Sequence, residues 1–156
     1  MRRARKSKRI FIIILVILAY VTPRISRAQD VPPIALPVSM SKRIDIDLSE
    51  QRLRYYYGDA EMGNILISSG TKWYPSPTGE FTIKAKYPVV RYRGSGYDFP
   101  NTKWNMLFYR NYFIHGAYWH HNFGHPMSHG CINVAYKDME QLYNFTDVGT
   151  VVTIHQ

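Results

Sequence analysis

KRIDIDLSEQRLRYYYGDAEMGNILISSG, residues 42 to 70, is the stretch whose pattern decides the fold. Ile44, Ile46 and Leu48 alternate with charged residues, the period of two expected of a half-buried β-strand. SEQ and GDAEMG are typical of turns, and the RLRYYY and NILISSG runs that follow them are typical of two further strands. The stretch therefore predicts an antiparallel β-meander rather than an α/β fold.

The remainder of the chain also predicts mostly strands. Residues 80 to 86, which follow a Pro- and Gly-rich turn, predict a strand, and residues 106 to 115 predict one or two more. Residues 137 to 145 place apolar side chains at helical spacing, and residues 149 to 156 predict a last strand. The fold class is therefore mainly β, with one short helix.

Residues 88 to 105 stand apart because they combine glycine, proline, basic residues and aromatics without a clear period. They predict a long loop. A loop of this length in a compact domain commonly serves as a lid or a binding surface, and a surface excursion with a few aromatics tucked beneath it is the alternative.

The charge of the chain is concentrated at its N-terminus. Residues 1 to 28 hold eight of the 20 Lys and Arg residues and no acid, which leaves 12 basic against 11 acidic side chains elsewhere. The net charge of +9 thus gives no reason to expect a nucleic-acid partner. A basic start, an apolar run from Ile10 to Val21 and small residues ahead of a cleavage point after Ala28 predict a secretory signal.

Twelve apolar residues are fewer than the roughly 20 that a membrane-spanning helix needs, so the pattern favours cleavage over an uncleaved anchor. The domain organisation expected is then a signal peptide in residues 1 to 28, a Pro-rich leader in residues 29 to 41 and one domain in residues 42 to 156. The membrane is contacted only through the signal.

Export makes the single cysteine informative. Cysteines in an oxidising compartment usually pair, so the lone Cys131 is either a small buried core residue or a reactive thiol. The nucleophilic form is the thiolate. With an ordinary pKa of about 8.5, a thiol needs an adjacent base or positive charge to react at neutral pH, and histidine is the usual partner.

Two histidines are candidates for that base. His129 lies two residues before Cys131, so the two side chains share a face if the backbone is extended. His115 ends a predicted strand and reaches the thiol only through the fold. Spacing alone leaves both open. Gly130 permits an unusual backbone angle, and the amides of Gly130 and Cys131 are candidate donors to an oxyanion.

IHGAYWHHNFGHPMSHGCIN, residues 114 to 133, resembles the signature of the L,D-transpeptidase catalytic domain (YkuD) family. In that family a histidine precedes a Ser/Thr-His-Gly-Cys motif, which is followed by an apolar residue and Asn or Arg. PTGEF at residues 77 to 81 is similar to the family's Pro-Thr-Gly turn, and residues 44 to 58 resemble its first hairpin. The resemblance covers residues 42 to 154 and implies the family's catalytic fold, a mixed or antiparallel, β-sandwich-like domain with one short helix after the catalytic cysteine.

The resemblance also implies an activity, that of a cysteine-dependent peptidoglycan L,D-transpeptidase. Cys131 attacks the carbonyl of the third stem residue and releases D-Ala, and an amine acceptor resolves the thioester to give a 3-3 crosslink. His115 is the implied proton donor and acceptor, and His129 shapes the site or is the alternative base. Supporting positions are Ser128, Gly130, Asn133 and Gly116, where some relatives place a hydroxyl residue.

Partners follow from the same resemblance. Peptidoglycan stem peptides are the expected substrate, and a lipoprotein lysine or water are alternative acceptors, which would make the enzyme a lipoprotein-attaching transferase or an L,D-carboxypeptidase. No cofactor is implied, and the exported domain belongs in the periplasm or cell envelope. Arg91 and Arg93, basic residues among aromatics, are candidates to bind a stem-peptide carboxylate. Tyr97 and Trp104 are further substrate-binding candidates.

Two other classes of protein compete with this interpretation. A zinc hydrolase could draw its ligands from the histidine-rich segment, namely His115, His120, His121, His125, His129 and Cys131. Four-residue spacing between histidines is useful only on a helix, and the glycines and proline among them disfavour one. A noncatalytic wall-binding domain is the other alternative, but binding alone gives no reason for Cys131 or His115.

Overall fold

A computed structural model describes residues 41 to 156. The predicted signal and nearly all of the Pro-rich leader lie outside the described residues. Within residues 41 to 156, no helix is long and apolar enough to cross a membrane.

The described residues form nine strands and one helix. In chain order they are β1 (Lys42–Asp47), β2 (Arg52–Tyr57), β3 (Ala60–Ser68), β4 (Gly79–Thr82), β5 (Ala85–Gly94), β6 (Tyr97–Tyr109), β7 (Tyr112–Ala117), β8 (Ile132–Ala135), α1 (Tyr136–Phe145) and β9 (Val151–His155). The prediction of a mainly β fold with one short helix after Cys131 is confirmed.

The predicted meander forms β1, β2 and β3. Ile44 of β1 pairs with Tyr55 of β2, and Ile46 pairs with Leu53, so the four apolar side chains share one buried face. This is the face that period-two alternation specifies. The strand β3 begins at Ala60, inside the segment predicted to be a turn, so the connection from β2 is shorter than expected.

The strands follow one another in the order β4-β9-β1-β2-β3-β8-β7-β6-β5. Most neighbours are antiparallel, but β1 and β9 are parallel and so are β7 and β8. The strand β3 joins the two halves of the sheet, because its first part pairs with β2 and its last residues pair with β8. The mixed sheet therefore curls, and its two halves enclose one core.

The prediction of a long loop at residues 88 to 105 is wrong. These residues form most of the β5–β6 hairpin, in which Val90 pairs with Thr102 and Gly94 with Tyr97. The predicted strand at residues 80 to 86 is divided between β4 and β5. Because β5 is an edge strand with mostly exposed side chains, its sequence lacks the alternation that marks a half-buried strand.

The helix α1 supports β7 and β8 on the face opposite the candidate site. Its Met139 and Leu142 are fully buried in the core, and it packs against β6, β7 and β8. Ile114 of β7 and Ile132 of β8 are paired and buried in the same core. The opposite face of these two strands is thereby held in place, and the candidate site lies on that face.

Candidate active site

A cleft of about 380 Å³ lies between the β5–β6 hairpin, the end of β7 and the segment that leads into β8. Its lining residues are Tyr92, Ser95, Gly96, Tyr97, Phe99, His115, Trp119, His120, Met127, Ser128, His129, Cys131 and Asn133. No Lys, Arg, Asp or Glu occurs among the described residues that line it. The cleft is thus aromatic and carries few charges.

The parallel pairing of β7 and β8 brings the predicted nucleophile and base together. His115 pairs with Asn133, and Cys131 immediately precedes β8, two residues before Asn133. Both His115 and Cys131 line the cleft. His115 and Cys131 are sixteen positions apart in sequence, and the fold places both in the same cleft.

His115 is held in a defined tautomer. Its Nδ1 lies 2.9 Å from the backbone oxygen of Gly116, and a carbonyl oxygen can only accept, so Nδ1 carries the hydrogen. This leaves Nε2 unprotonated and able to act as a base. The partner is a main-chain atom, so a hydroxyl side chain at position 116 is not needed for this bond. A Cβ at Gly116 would also crowd the ring of Tyr136.

Burial keeps both reacting groups neutral at neutral pH. It lowers the pKa of His115 to about 4, a shift that the Gly116 hydrogen bond opposes. Burial raises the pKa of the Cys131 thiol to about 11, against the effect of the Phe113 amide. The resting pair is therefore a thiol and a neutral imidazole, and the proton must move as the thiol attacks.

Tyr92 supports His115 from the hairpin. The two rings stack with centroids 4.6 Å apart and planes inclined by 27°. The Tyr92 hydroxyl donates to Oδ1 of the buried Asn105 at 2.9 Å, and burial raises the pKa of Tyr92, so this hydroxyl stays protonated. The imidazole is thus fixed on its face by Tyr92 and at its edge by Gly116.

Ser128 organises the backbone around the thiol. Its Oγ accepts from the Gly130 amide at 2.9 Å and donates to the Cys131 carbonyl at 2.5 Å. Of the two amides predicted to face an oxyanion, that of Gly130 donates to Ser128 in this structure. The Cys131 amide remains as the candidate donor.

His129 occupies the rim of the cleft rather than a position behind the thiol. Gly130 has φ +107°, so the extended backbone that would place His129 and Cys131 on one face is not formed. The exposed His129 ring lies between Tyr74, at 4.6 Å, and Tyr97, at 5.5 Å. These contacts suit a residue that shapes the entrance.

Comparison with known proteins agrees with this geometry. The family model of the L,D-transpeptidase catalytic domain, YkuD, matches residues 41 to 154. The chain belongs to the L,D-transpeptidase catalytic domain family. A Bacillus licheniformis protein assigned as an L,D-transpeptidase YkuD is 30% identical over 124 residues, which are 80% of this chain and 72% of the relative.

Solved structures show the same fold. An L,D-transpeptidase from Mycobacterium tuberculosis H37Rv superimposes with a TM-score of 0.70 at 25% identity, over 74% of this chain and 58% of that one. A structure described as the Ldtfm-avibactam carbamoyl enzyme gives a TM-score of 0.69 at 26% identity, over 74% of this chain and 49% of that one. The chain thus spans less than two thirds of the length of these structures.

The transpeptidase cleft includes only one of the predicted substrate-binding side chains. Tyr97 lines it, whereas Arg91, Arg93 and Trp104 do not. Arg91 is paired with Asp98 along the exposed hairpin, with Nε 2.8 Å from Oδ1. Trp104 packs at 5.0 Å against Tyr136. The two arginines therefore lie outside the lining of the cleft, because β5 directs them away from it.

The other histidines proposed as zinc ligands do not form a cluster in residues 41 to 156. His121 and His125 are exposed, and His120 faces Asn133, with its Nε2 3.2 Å from Asn133 Nδ2. No group of three His, Cys, Asp or Glu side chains within residues 41 to 156 is placed to hold a metal ion.

Sequence reasoning missed several residues of the transpeptidase site. Tyr92 lies in the segment whose sequence predicts a loop, although the alternation of Arg91, Tyr92 and Arg93 is a short period-two signal. Phe99 and Trp119, which stack at 3.9 Å across the cleft, carry no sequence signal of their contact. Ser76, which stands between two prolines, likewise carries no sequence signal of its hydrogen bond to Gly130.

Gly130 of the transpeptidase motif is required by both backbone and packing. Its φ is +107°, which residues with side chains rarely adopt, and a Cβ there would overlap the Tyr112 ring.

Gly149, at φ +92° with open space around it, offers a matched control for a substitution at Gly130. Gly149→Ala is expected to cost about 1 kcal/mol through backbone strain. Gly130→Ala should cost about 1–3 kcal/mol more through overpacking, measured as the free energy of unfolding in urea. Equal losses in the two variants would contradict this account.

Proposed function

We propose that this chain is a cysteine-dependent peptidoglycan L,D-transpeptidase that acts in the cell envelope after export. The observation that carries the proposal is the placement of Cys131 and a neutral, tautomer-fixed His115 in one cleft of a chain that belongs to this family. The aromatic, nearly uncharged lining suits a peptide backbone and small side chains better than a highly charged ligand.

The first half of the reaction is acylation. The Cys131 sulfur forms a bond to the carbonyl carbon of the third stem residue while Nε2 of His115 takes the thiol proton. The Cys131 amide is the candidate donor to the resulting oxyanion. His115 then returns the proton to the leaving nitrogen, the amide bond breaks, and D-Ala departs. Because the pKa of the Cys131 thiol is raised, attack depends on proton transfer from the thiol to His115 and not on a preformed thiolate.

The second half passes the acyl group to an acceptor. His115, neutral again, accepts a proton from the attacking amine, and the thioester bond breaks as the thiol is restored. A stem-peptide amine as acceptor gives the 3-3 crosslink that we propose as the main product. A lipoprotein lysine or water would use the same acyl-enzyme, so the acceptor changes the product but not the first step.

Mass spectrometry of a disaccharide-tetrapeptide incubated with the purified protein tests the proposal. We expect a crosslinked dimer and released D-Ala, and a mass increase on Cys131 with avibactam, because the Ldtfm relative is described as a carbamoyl enzyme with that compound. A tripeptide alone would identify water as the acceptor. An unchanged tetrapeptide, or activity abolished by a metal chelator, would contradict the proposal.

A further inference from the structure

Ser76 joins a separate loop to the catalytic motif. Its buried hydroxyl accepts from the Gly70 amide at 2.9 Å and donates to the Gly130 carbonyl at 2.9 Å. The same loop is tied to the motif a second time, since the Thr71 amide donates to the Ser128 carbonyl at 3.0 Å. Ser76 does not line the cleft, so it cannot touch a substrate bound there.

Serine hydroxyls fix three successive peptide groups around the nucleophile. Ser128 holds the amide of Gly130 and the carbonyl of Cys131, and Ser76 holds the carbonyl of Gly130 between them. Among residues 41 to 156, the Cys131 amide donates to no backbone or side-chain acceptor. One backbone donor beside the thiol, the Cys131 amide, is therefore left without a protein acceptor in the described part of the chain.

The orientation of that donor depends on the Gly130 carbonyl. A trans peptide group is planar, so the Gly130 carbonyl and the Cys131 amide point in opposite directions. Gly130 has φ +107° in this structure, but glycine also tolerates many other backbone angles. Sequence alone therefore does not fix the orientation of the Gly130–Cys131 peptide group. The hydrogen bond from Ser76 selects the orientation that directs the Cys131 N–H away from Ser76.

We propose that Ser76 is a positioning residue that holds the Gly130–Cys131 peptide group so that the Cys131 amide stabilises the oxyanion. This inference rests on the proposed function, since an oxyanion forms only if Cys131 attacks a carbonyl. Ser76 acts through the backbone and takes no part in proton transfer. Its loss should therefore slow carbonyl chemistry at Cys131 but spare other reactions of the same thiol.

Two reagents separate these effects in the purified protein. Avibactam requires attack on a carbonyl: the sulfur bonds to the urea carbon, a ring C–N bond opens, and the thiol proton ends on that nitrogen. Iodoacetamide alkylates the sulfur at a saturated carbon, with loss of iodide and of the thiol proton, and forms no oxyanion. For Ser76→Ala we expect carbamoylation about 10- to 100-fold slower, the range expected when an oxyanion donor is misplaced. Alkylation should proceed at the wild-type rate.

Two further variants complete the design. Thr146→Val removes another buried hydroxyl that donates to a carbonyl, that of Leu142, and should lower the melting temperature about as much as Ser76→Ala while leaving carbamoylation unchanged. Ser76→Thr retains a hydroxyl and should restore the carbamoylation rate. In turnover, Ser76→Ala should lower kcat with little change in KM.

The outcomes are distinct. Carbamoylation of Ser76→Ala at the wild-type rate, or equal slowing of carbamoylation and alkylation, would overturn the role of Ser76 and leave the proposed function standing. Wild-type protein that is alkylated on Cys131 but never carbamoylated would overturn the proposed function, and this inference with it.

Discussion

Replacing Cys131 with alanine is expected to abolish both D-Ala release and crosslinking while leaving the domain folded. No other described residue in the cleft can supply the sulfur that becomes the thioester, since Cys131 is the single cysteine of the chain. Loss of a nucleophile typically costs about 10⁴-fold or more in kcat. The measurement is D-Ala release from a disaccharide-tetrapeptide, followed over a time long enough to detect residual turnover.

The stability of this variant provides its control. Cys131 is partly exposed, and its alanine replacement removes one sulfur atom, so we expect a change of about 1 kcal/mol or less in the free energy of unfolding. Melting curves of wild type and Cys131→Ala should therefore nearly coincide. Full turnover in a well-folded Cys131→Ala protein would exclude a covalent mechanism at this residue.

The parts of the fold that follow local rules were predictable. Alternation at Ile44 and Ile46 gave the correct buried face of β1, because a half-buried strand must place every second side chain in the core. Helical spacing of Met139 and Leu142 likewise predicted α1 and its buried face. Both signals arise within a few residues of one another and need no knowledge of the partner element.

The parts that depend on distant partners were not. The parallel pairings of β1 with β9 and of β7 with β8 join residues far apart in sequence, and nothing in either strand specifies its neighbour. The edge strand β5 buries too few side chains to show more than the short alternation of Arg91, Tyr92 and Arg93. The motif predicted that a thiol and a histidine would meet, but the use of the Gly130 amide by Ser128 depends on a side-chain rotamer that sequence does not encode locally.

The choice between His115 and His129 as the base rests on such distant contacts, and it gives the second large effect that we expect. His115→Gln should lower kcat/KM for D-Ala release by about 10²- to 10⁴-fold, the usual contribution of a general acid and base. The identical substitution at His129 is the matched control. It should lower kcat/KM by less than about tenfold, because His129 contacts Tyr74 and Tyr97 at the rim.

The pH dependence of the wild-type enzyme identifies the base independently of any substitution. A general base works only when unprotonated, and burial lowers the pKa of His115 to about 4 from an ordinary value of 6.5. As the pH falls, kcat/KM should thus stay level through 6.5 and decline only on approach to about 4, as measured in short assays before acid unfolding intervenes. An acid limb centred near 6.5 would contradict the role of the buried His115, and a larger loss in His129→Gln than in His115→Gln would assign the proton to His129 and leave Cys131 as the nucleophile.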